Sequence, residues 1–252
     1  MNSGARVRAV LLDLGGTLLR VRTSVGEVYA ETAARFGFPV SAEDVARNFK
    51  RAWKRGLERG SARNYRCSDS ILKEEWLQIV RDSFDSQVPP THIEAVFEEL
   101  YRYFATGGAW VLAPGVTESL AHLRSRNLRL VLLSNWDSRS VTMLRDLGLH
   151  DLFDSLVISY DVGVEKPHPE IFREALRRAG ADAAEALHVG DSLEADIRPA
   201  RSLGIRTLWL DPDGLRQGPD GVGPTVASFS DLGTDGWDAL LDGQSLPPER
   251  SH

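Results

Sequence analysis

The chain is short of several things, and each shortage excludes something. It has one cysteine, Cys67, among 252 residues, which excludes an intrachain disulfide framework and fits a reducing compartment. No apolar run approaches the ~20 residues that a membrane-spanning helix needs. Residues 1–8 hold no apolar signal-peptide core. Basic charge is not in excess, since 30 Lys and Arg face 36 Asp and Glu for a net charge of −6. That balance gives no support to a broad nucleic-acid footprint. No fixed-period repeat is present. The expectation is a cytoplasmic protein, monomeric or homodimeric, with neither a membrane nor a nucleic acid as partner.

What is present is an ordinary apolar share of 42%, enough for a sizeable core. Val7 to Asp13 is a short apolar run closed by Gly15-Gly16 and reads as a buried strand. Leu128 to Ser134, Ser155 to Tyr160, Ala186 to Asp191 and Arg206 to Leu210 read the same way. Continuous apolar runs, in place of alternation, predict a parallel sheet covered on both faces. Helical patterns lie between them. Gly115 to Arg126 is one, Ser138 to Leu147 with Gly148 as cap another, and Pro169 to Ala179 ended by Gly180 the clearest. Together they predict an α/β fold, a Rossmann-like doubly wound parallel sheet.

The stretch from about Val21 to Gly108 reads as helical with no convincing strand. Its helices are Ser41 to Arg59, Asp69 to Phe84, and one opened by Thr91 and Glu94 as a capping box. Gly107-Gly108 reads as a hinge on the return. The expected organisation is therefore a core at 1–20 and 108–242, a helical cap at 21–107, and a disordered tail at 243–252. Asp211 to Pro224 reads as a loop, Val226 to Phe229 as a short edge strand, and Gly236 to Leu241 as a last turn or two of helix.

In an open parallel sheet, ligands bind beyond the carboxyl ends of the strands. Here the first strand delivers Asp13, followed by Gly15-Gly16-Thr17. Later ones deliver Ser134-Asn135 and Gly190-Asp191, with Asp196 five residues on, and Lys166-Pro167 precedes a helix. Taken singly, each has an ordinary reading: a turn or cap carboxylate, a turn glycine pair, a solvated lysine. Accident does not readily place two carboxylates, a hydroxyl and a lysine at one edge of one sheet.

Asp13-x-Gly15-Gly16-Thr17, Ser134-Asn135, Lys166-Pro167 and Gly190-Asp191-x4-Asp196 resemble the four motifs of the haloacid dehalogenase (HAD) superfamily, in their usual order. The resemblance spans roughly Val7 to Asp213, and the helical insert resembles that family's first type of cap. It implies a hydrolase, a magnesium-dependent phosphatase acting on a small phosphorylated metabolite. Asp13 would be the nucleophile that forms an aspartyl phosphate. Asp13, the Gly15 carbonyl, Asp191 and Asp196 would serve Mg²⁺, with Asp196 holding a metal-bound water or orienting its neighbours. Ser134 and Asn135 would donate to phosphoryl oxygens, and Lys166 would neutralise their charge. Thr17 would orient Asp13, and Gly16 would leave room for the loop.

One position departs from the pattern. Phosphatases of this family usually carry a second Asp two residues after the nucleophile, as general acid and base; here that residue is Gly15. General acid–base catalysis is worth roughly 10²–10⁴ in rate, so the expectation is a slow phosphatase biased toward acidic leaving groups. Restoring the carboxylate with Gly15→Asp is expected to speed alkyl phosphates more than aryl ones. Three alternatives stay open. One is a non-catalytic phosphate- or metal-binding protein. A second is a metal-independent dehalogenase. A third is a phosphonatase-like enzyme using a cap lysine, Lys50, Lys54 or Lys73.

Within the cap, Arg63, Tyr65 and Arg66 form a small basic-aromatic cluster that reads either as a substrate contact or, more simply, as an ordinary charged loop. Trp53 and Trp76 sit at core spacing. Cys67 reads as inert, His188 as sheet structure in preference to an acid, and Trp136 as either a pocket wall or packing beneath the lid.

Overall fold

A computed structural model of the chain describes residues 5–211, 223–244 and 246. Its main sheet is parallel throughout. The strands are β1 (Ala9–Leu12), β4 (Arg129–Ser134), β5 (Ser155–Ile158), β6 (Ala186–Gly190), β7 (Arg206–Leu210) and β8 (Thr225–Val226), in the order β5-β4-β1-β6-β7-β8. A second, two-stranded antiparallel ribbon pairs β2 (Leu19–Val21) with β3 (Trp110–Leu112). Between these two short strands run α1 (Val25–Arg35), α2 (Ala42–Ala62), α3 (Asp69–Phe84) and α4 (Pro90–Tyr103). The rest of the helical layer is α5 (Val116–Ser125), α6 (Arg139–Asp146), α7 (Ser159–Val162), α8 (Pro169–Ala179), α9 (Arg198–Ser202) and α10 (Phe229–Leu241).

The continuous apolar strands are buried on both faces because helices cover both. Val10, Leu12, Leu130, Leu132 and Val189 pack toward α5, α6 and α10. Ala9, Leu11, Val131, Leu133 and Val157 pack toward α8 and Ala200 of α9. Each set comes from alternate positions of a strand, as the pleat requires. α8 follows its sequence closely: Pro169 opens it, and Gly180, at φ 61°, closes it in the left-handed conformation that costs a glycine little.

Several expectations are corrected. α4 begins at Pro90, without a side-chain cap. Thr91 is therefore inside the helix and bonds the His92 ring at 2.9 Å, so no capping box forms there; a proline at the first helical position already supplies the needed φ. α1 was not read from the sequence, although Ser24-x-x-Glu27 is a start signal, and Ser24 Oγ accepts the Glu27 N–H at 3.1 Å. α10 runs 13 residues, longer than expected, across a kink at Gly233. Gly107 is not a free hinge. Its N–H donates to Asp146 Oδ2 at 3.0 Å, and a Cβ there would lie 2.7 Å from Asp146 Cβ. The close approach of α6 requires the glycine. Trp53 is 46% exposed, stacked on Phe49 rather than enclosed. The expected loop at 212–222 and most of the expected tail lie outside the described residues. Among the described residues no helix is long and apolar enough to cross a membrane.

Candidate active site

β1 lies between β4 and β6. The chain leaves β1 for neighbours on either side, so the crevice at the carboxyl ends of these three strands is the topological switch point where α/β sheets bind ligands. Three of the sequence-predicted residues arrive there by position alone. Asp13 follows β1 and is fixed by its N–H donating to the Val189 carbonyl at 3.0 Å. Ser134 closes β4, and Asp191 follows β6.

Lys166 reaches the same point from the segment between α7 and α8. Its ammonium donates to Asp13 Oδ1 at 2.5 Å and to Asp196 Oδ1 at 2.6 Å, and all three side chains are almost fully enclosed. Asn135 aims the lysine. Its Oδ1 accepts the Lys166 N–H at 2.6 Å and its Nδ2 donates to the Lys166 carbonyl at 2.9 Å. Much of the Asn135 amide is therefore engaged with the backbone that carries the lysine. Ser134 Oγ stands 3.4 Å from Asp13 Oδ1. Thr17 is buried, but its hydroxyl has no hydrogen-bond partner among the described residues, so the expected bond from Thr17 to Asp13 is not made. Gly16 takes φ 84°, and a Cβ there would fall 2.5 Å from Asp191 Oδ2. The glycine is what lets the loop pass the carboxylate.

The electrostatics follow from crowding. Burial raises the Asp13 pKa, and Lys166 opposes the rise. Burial also raises Asp191, to about 7, with the charges of Asp13 and Asp196 adding to it. At Asp196 burial pulls upward, but Lys166 and His188 outweigh it and hold the carboxyl well below its usual range. Lys166 is held protonated despite its burial, because two carboxylates flank it. Three carboxylates with one ammonium leave the site short of positive charge.

Ligand atoms of Asp13, Asp191 and Asp196 lie within 4.8 Å of one another. An all-oxygen donor set with unbalanced negative charge fits a hard divalent cation. Asp196 is the poorest candidate for direct ligation. Its Oδ1 already takes Lys166 and the His188 ring at 3.0 Å, and its Oδ2 takes the Ser192 N–H at 3.1 Å. It acts as a brace between the lysine and the loop after β6.

One contribution escaped the sequence, the support that His188 gives Asp196, while Trp136 was read as either a pocket wall or packing. His188 is fully buried, and its ring spans Asp196 and the Leu11 carbonyl at 3.0 Å each. It stands eight residues from the carboxylate it supports, and nothing local in the sequence marks that contact. Trp136 follows the Ser134-Asn135 pair and lies over Gly15, where a Cβ would come 3.2 Å from its indole.

The basic-aromatic cluster pairs its arginines with carboxylates, and Arg66 stays exposed, as the simpler reading of an ordinary charged loop expects. Arg63 pairs with Glu75 at 2.7 Å and with Glu165 at 3.2 Å, and Arg66 pairs with Glu170 at 3.1 Å. The Tyr65 carbonyl accepts the Glu165 N–H at 2.9 Å, and the Cys67 N–H donates to Gly163 at 3.0 Å. This segment fastens the helical insert to the residues just before Lys166. Cys67 is enclosed there, and burial raises its thiol to about 11, which keeps it unreactive. Lys50 and Lys54 are exposed, and Lys73 pairs with Glu98 at 2.8 Å on the surface of the insert. An arginine-lined cavity of about 690 Å³ opens at the opposite edge of the sheet, around Arg6, Arg8, Arg126 and Arg129, and shares no residue with this site.

Comparison with known proteins agrees with this geometry. Residues 7–204 match the family model described as haloacid dehalogenase-like hydrolase. The chain is 32% identical over 228 residues to haloacid dehalogenase-like hydrolase domain-containing protein 3 of Bos taurus, covering 88% of this chain and 86% of that one. Over a shorter stretch of 98 residues, 38% of this chain and 41% of the other, it is 38% identical to glyceraldehyde 3-phosphate phosphatase of Pyrococcus abyssi. Among solved structures, the magnesium-bound HAD-hydrolase YfnB of Bacillus subtilis superposes with a TM-score of 0.71 at 22% identity, over 90% of this chain and 97% of that one. With an Asp–Lys–Asp crevice at the switch point of a six-stranded parallel sheet and a family match over most of its length, the chain belongs to the haloacid dehalogenase-like hydrolases.

Proposed function

We propose that the protein is a Mg²⁺-dependent phosphatase of small phosphomonoesters, with Asp13 as nucleophile. The observation that carries this reading is the shared ammonium. Lys166 Nζ bridges Asp13 and Asp196, while Asp191 lies within ligand reach of both. Phosphoryl transfer to a carboxylate needs a fixed anion, a cation at the transferred oxygens, and a further positive charge to bring two anions together. In this reading Asp191, Asp13 and the Gly15 carbonyl hold the divalent ion, which supplies that further charge when bound.

The chain's own residues do the rest. Asp13 attacks phosphorus. Lys166, immobilised by Asn135 and Asp196, meets the charge that spreads over the phosphoryl oxygens, and Ser134 donates to one of them. His188 and Asp196 keep the lysine in place as the negative charge moves. Position 15 offers no proton to the departing oxygen and no base to the water that cleaves the acyl phosphate. Both steps run slower by the roughly 10²–10⁴ that such a group contributes. The helical insert acts as a lid over the crevice, tied down at Arg63 to Cys67.

The test is phosphate release from 4-nitrophenyl phosphate with Mg²⁺. Release is expected for the wild type, with loss on adding EDTA and loss of at least about 10³-fold in Asp13→Ala, as for removal of a covalent nucleophile. Release that survives Asp13→Ala would contradict the reading. Binding of phosphate without turnover by the wild type would favour a non-catalytic protein. Halide release from a haloacid in EDTA would favour a dehalogenase, a chemistry for which three converging carboxylates have no evident use.

A further inference from the structure

Gly15 is not simply a position where a side chain has been lost. A Cβ built there meets Trp136 Cζ3 at 3.2 Å and Cη2 at 3.9 Å, and nothing else nearby. The backbone at Gly15 is not in the left-handed region, which Gly16 does adopt, so conformation alone would admit a side chain. The obstacle is the indole. Trp136 cannot easily retreat. Its backbone N–H donates to Ser159 Oγ at 3.0 Å and its backbone carbonyl accepts the same hydroxyl at 3.1 Å, which anchors the chain from which the ring projects. Its ring meets Trp110 edge-on, with centroids 5.1 Å apart. Trp110 in turn packs on Phe104 of the insert. A flat apolar ring therefore stands against position 15, two residues from the nucleophile.

We infer that Trp136 is a specificity-determining residue, and that the substrate carries its phosphoryl group on an oxygen conjugated to a π-system: an aryl, enol or acyl phosphate whose planar leaving group lies against the indole. This rests on the phosphatase reading and narrows it. Two independent features favour it. An apolar aromatic wall suits a planar group, through ring contacts that prefer offset or edge-on geometry. The chemistry also agrees. Asp13 forms a bond to phosphorus while the bond from phosphorus to the leaving oxygen breaks. That oxygen takes the electron pair and departs as a carboxylate, enolate or phenolate, with no proton required. Water then attacks phosphorus, the bond to Asp13 breaks with its electron pair returning to the carboxylate, and the water's proton leaves with the phosphate or to solvent. An alkoxide leaving group would need the proton that position 15 lacks. Trp136 thereby replaces an acid that serves many esters with a surface that serves few. It also means that Gly15→Asp by itself, with the indole in place, does not restore the acid.

The experiment compares the wild type, Gly15→Asp, Trp136→Ala, Trp136→Phe and the Gly15→Asp/Trp136→Ala double variant, with Mg²⁺, on 4-nitrophenyl phosphate, phenyl phosphate and glycerol 3-phosphate. Thermal melts of Gly15→Ala in the wild-type and Trp136→Ala backgrounds accompany it. The wild type is expected to turn over the aryl phosphates, fastest with the better leaving group, and to leave glycerol 3-phosphate nearly untouched. Trp136→Ala is expected to raise KM for the aryl phosphates roughly ten-fold, with Trp136→Phe between, as for loss of ring packing. Gly15→Asp is expected to gain less than about three-fold on glycerol 3-phosphate, and the double variant about 10²-fold, the lower range of general acid catalysis. Gly15→Ala is expected to cost roughly 2–4 °C more with Trp136 present than without it.

Gly15→Asp acquiring glycerol 3-phosphate activity on its own would overturn the inference. So would equal melting shifts in the two backgrounds, or KM changes in Trp136→Ala that do not distinguish aryl from alkyl substrates. Absence of Asp13-dependent release from every probe by the wild type would instead remove the phosphatase reading and the substrate class with it, while the melting comparison would still judge whether the indole fills the place of a side chain.

Discussion

Asp191 sits where burial and two neighbouring carboxylates all act against its ionisation, and its pKa rises from an ordinary 3.8 to about 7. The native state therefore binds a proton that the unfolded chain has already lost between those values. A carboxyl raised in this way costs stability as pH climbs through the window, and the cost is complete above about 7. A divalent ion reverses the sign, because it binds only the ionised form. Mg²⁺ is thus expected to raise the melting temperature more at pH 8 than at pH 6. In EDTA, Asp191→Asn should melt higher than the wild type at pH 8 and lose most of the Mg²⁺ effect. Differential scanning fluorimetry at the two pH values reads this directly, and an equal Mg²⁺ shift in the variant would show that the ion binds elsewhere. Lys166 makes the complementary case at the same scale. Its ammonium is the only cation touching both Asp13 and Asp196 among the described residues. Lys166→Met leaves two buried carboxylates facing each other, and breaking a buried pair costs about 3–5 kcal/mol. Loss of turnover together with a melting point partly rescued by Mg²⁺ is the expected outcome.

At the scale of elements, the question is how the insert is held. Besides the β2–β3 ribbon, connections at several points fasten it among the described residues. One is the Arg63 to Cys67 segment, paired by backbone and charge to residues 163–165. Another is the N-terminus of α3, where the Asp69 carboxylate accepts the Ser138 N–H at 2.7 Å and its hydroxyl at 3.0 Å. Arg139, beside Ser138, stacks 3.6 Å above Tyr101 of α4 while its guanidinium grips Asp137 at 2.7 Å. These contacts join α3 and α4 to the loop that carries Ser134, Asn135 and Trp136, so the position of the insert and the geometry of the site are linked. Asp69→Ala removes two exposed hydrogen bonds, worth about 0.5–1.5 kcal/mol each. It is expected to leave the fold intact and to speed limited proteolysis in the 60–68 segment, with protection restored by phosphate and Mg²⁺. Unchanged cleavage would show that the Asp69 contact does not hold the insert.

At the scale of the molecule, insert and sheet share one apolar cluster. It runs from Tyr29, Val80, Phe84 and Phe104 through Trp110 to Val10, Leu132 and Val189. Units with separate cores can melt separately; units with a common core should not. One calorimetric transition is expected. Leu132→Ala, at a fully buried position in the sheet, should lower it as a whole, at a cost of about 2–5 kcal/mol. Two resolved transitions, with only one moved by Leu132→Ala, would show the insert to be an independent domain.

The parallel sheet was legible because strands buried on both faces must be apolar throughout, and β1, β4, β6 and β7 carry no alternation to mislead. Asp13, Ser134 and Asp191 were legible because they end such strands, and strand order alone brings strand ends together. Lys166 and Asp196 were found through the resemblance of their motifs. What the sequence could not supply was the occupant of each space. That Asn135 spends its amide on the Lys166 backbone, that His188 in β6 props Asp196 just beyond it, and that Arg63 turns to Glu165 are pairings across eight to more than a hundred residues, set by packing of elements and not by local spacing. The same holds for Gly15. In the sequence it is an acid that is missing; in the folded chain the indole of Trp136, 121 positions away, lies against the place where a Cβ would sit, because only the closing of β4 against β1 sets the two side by side.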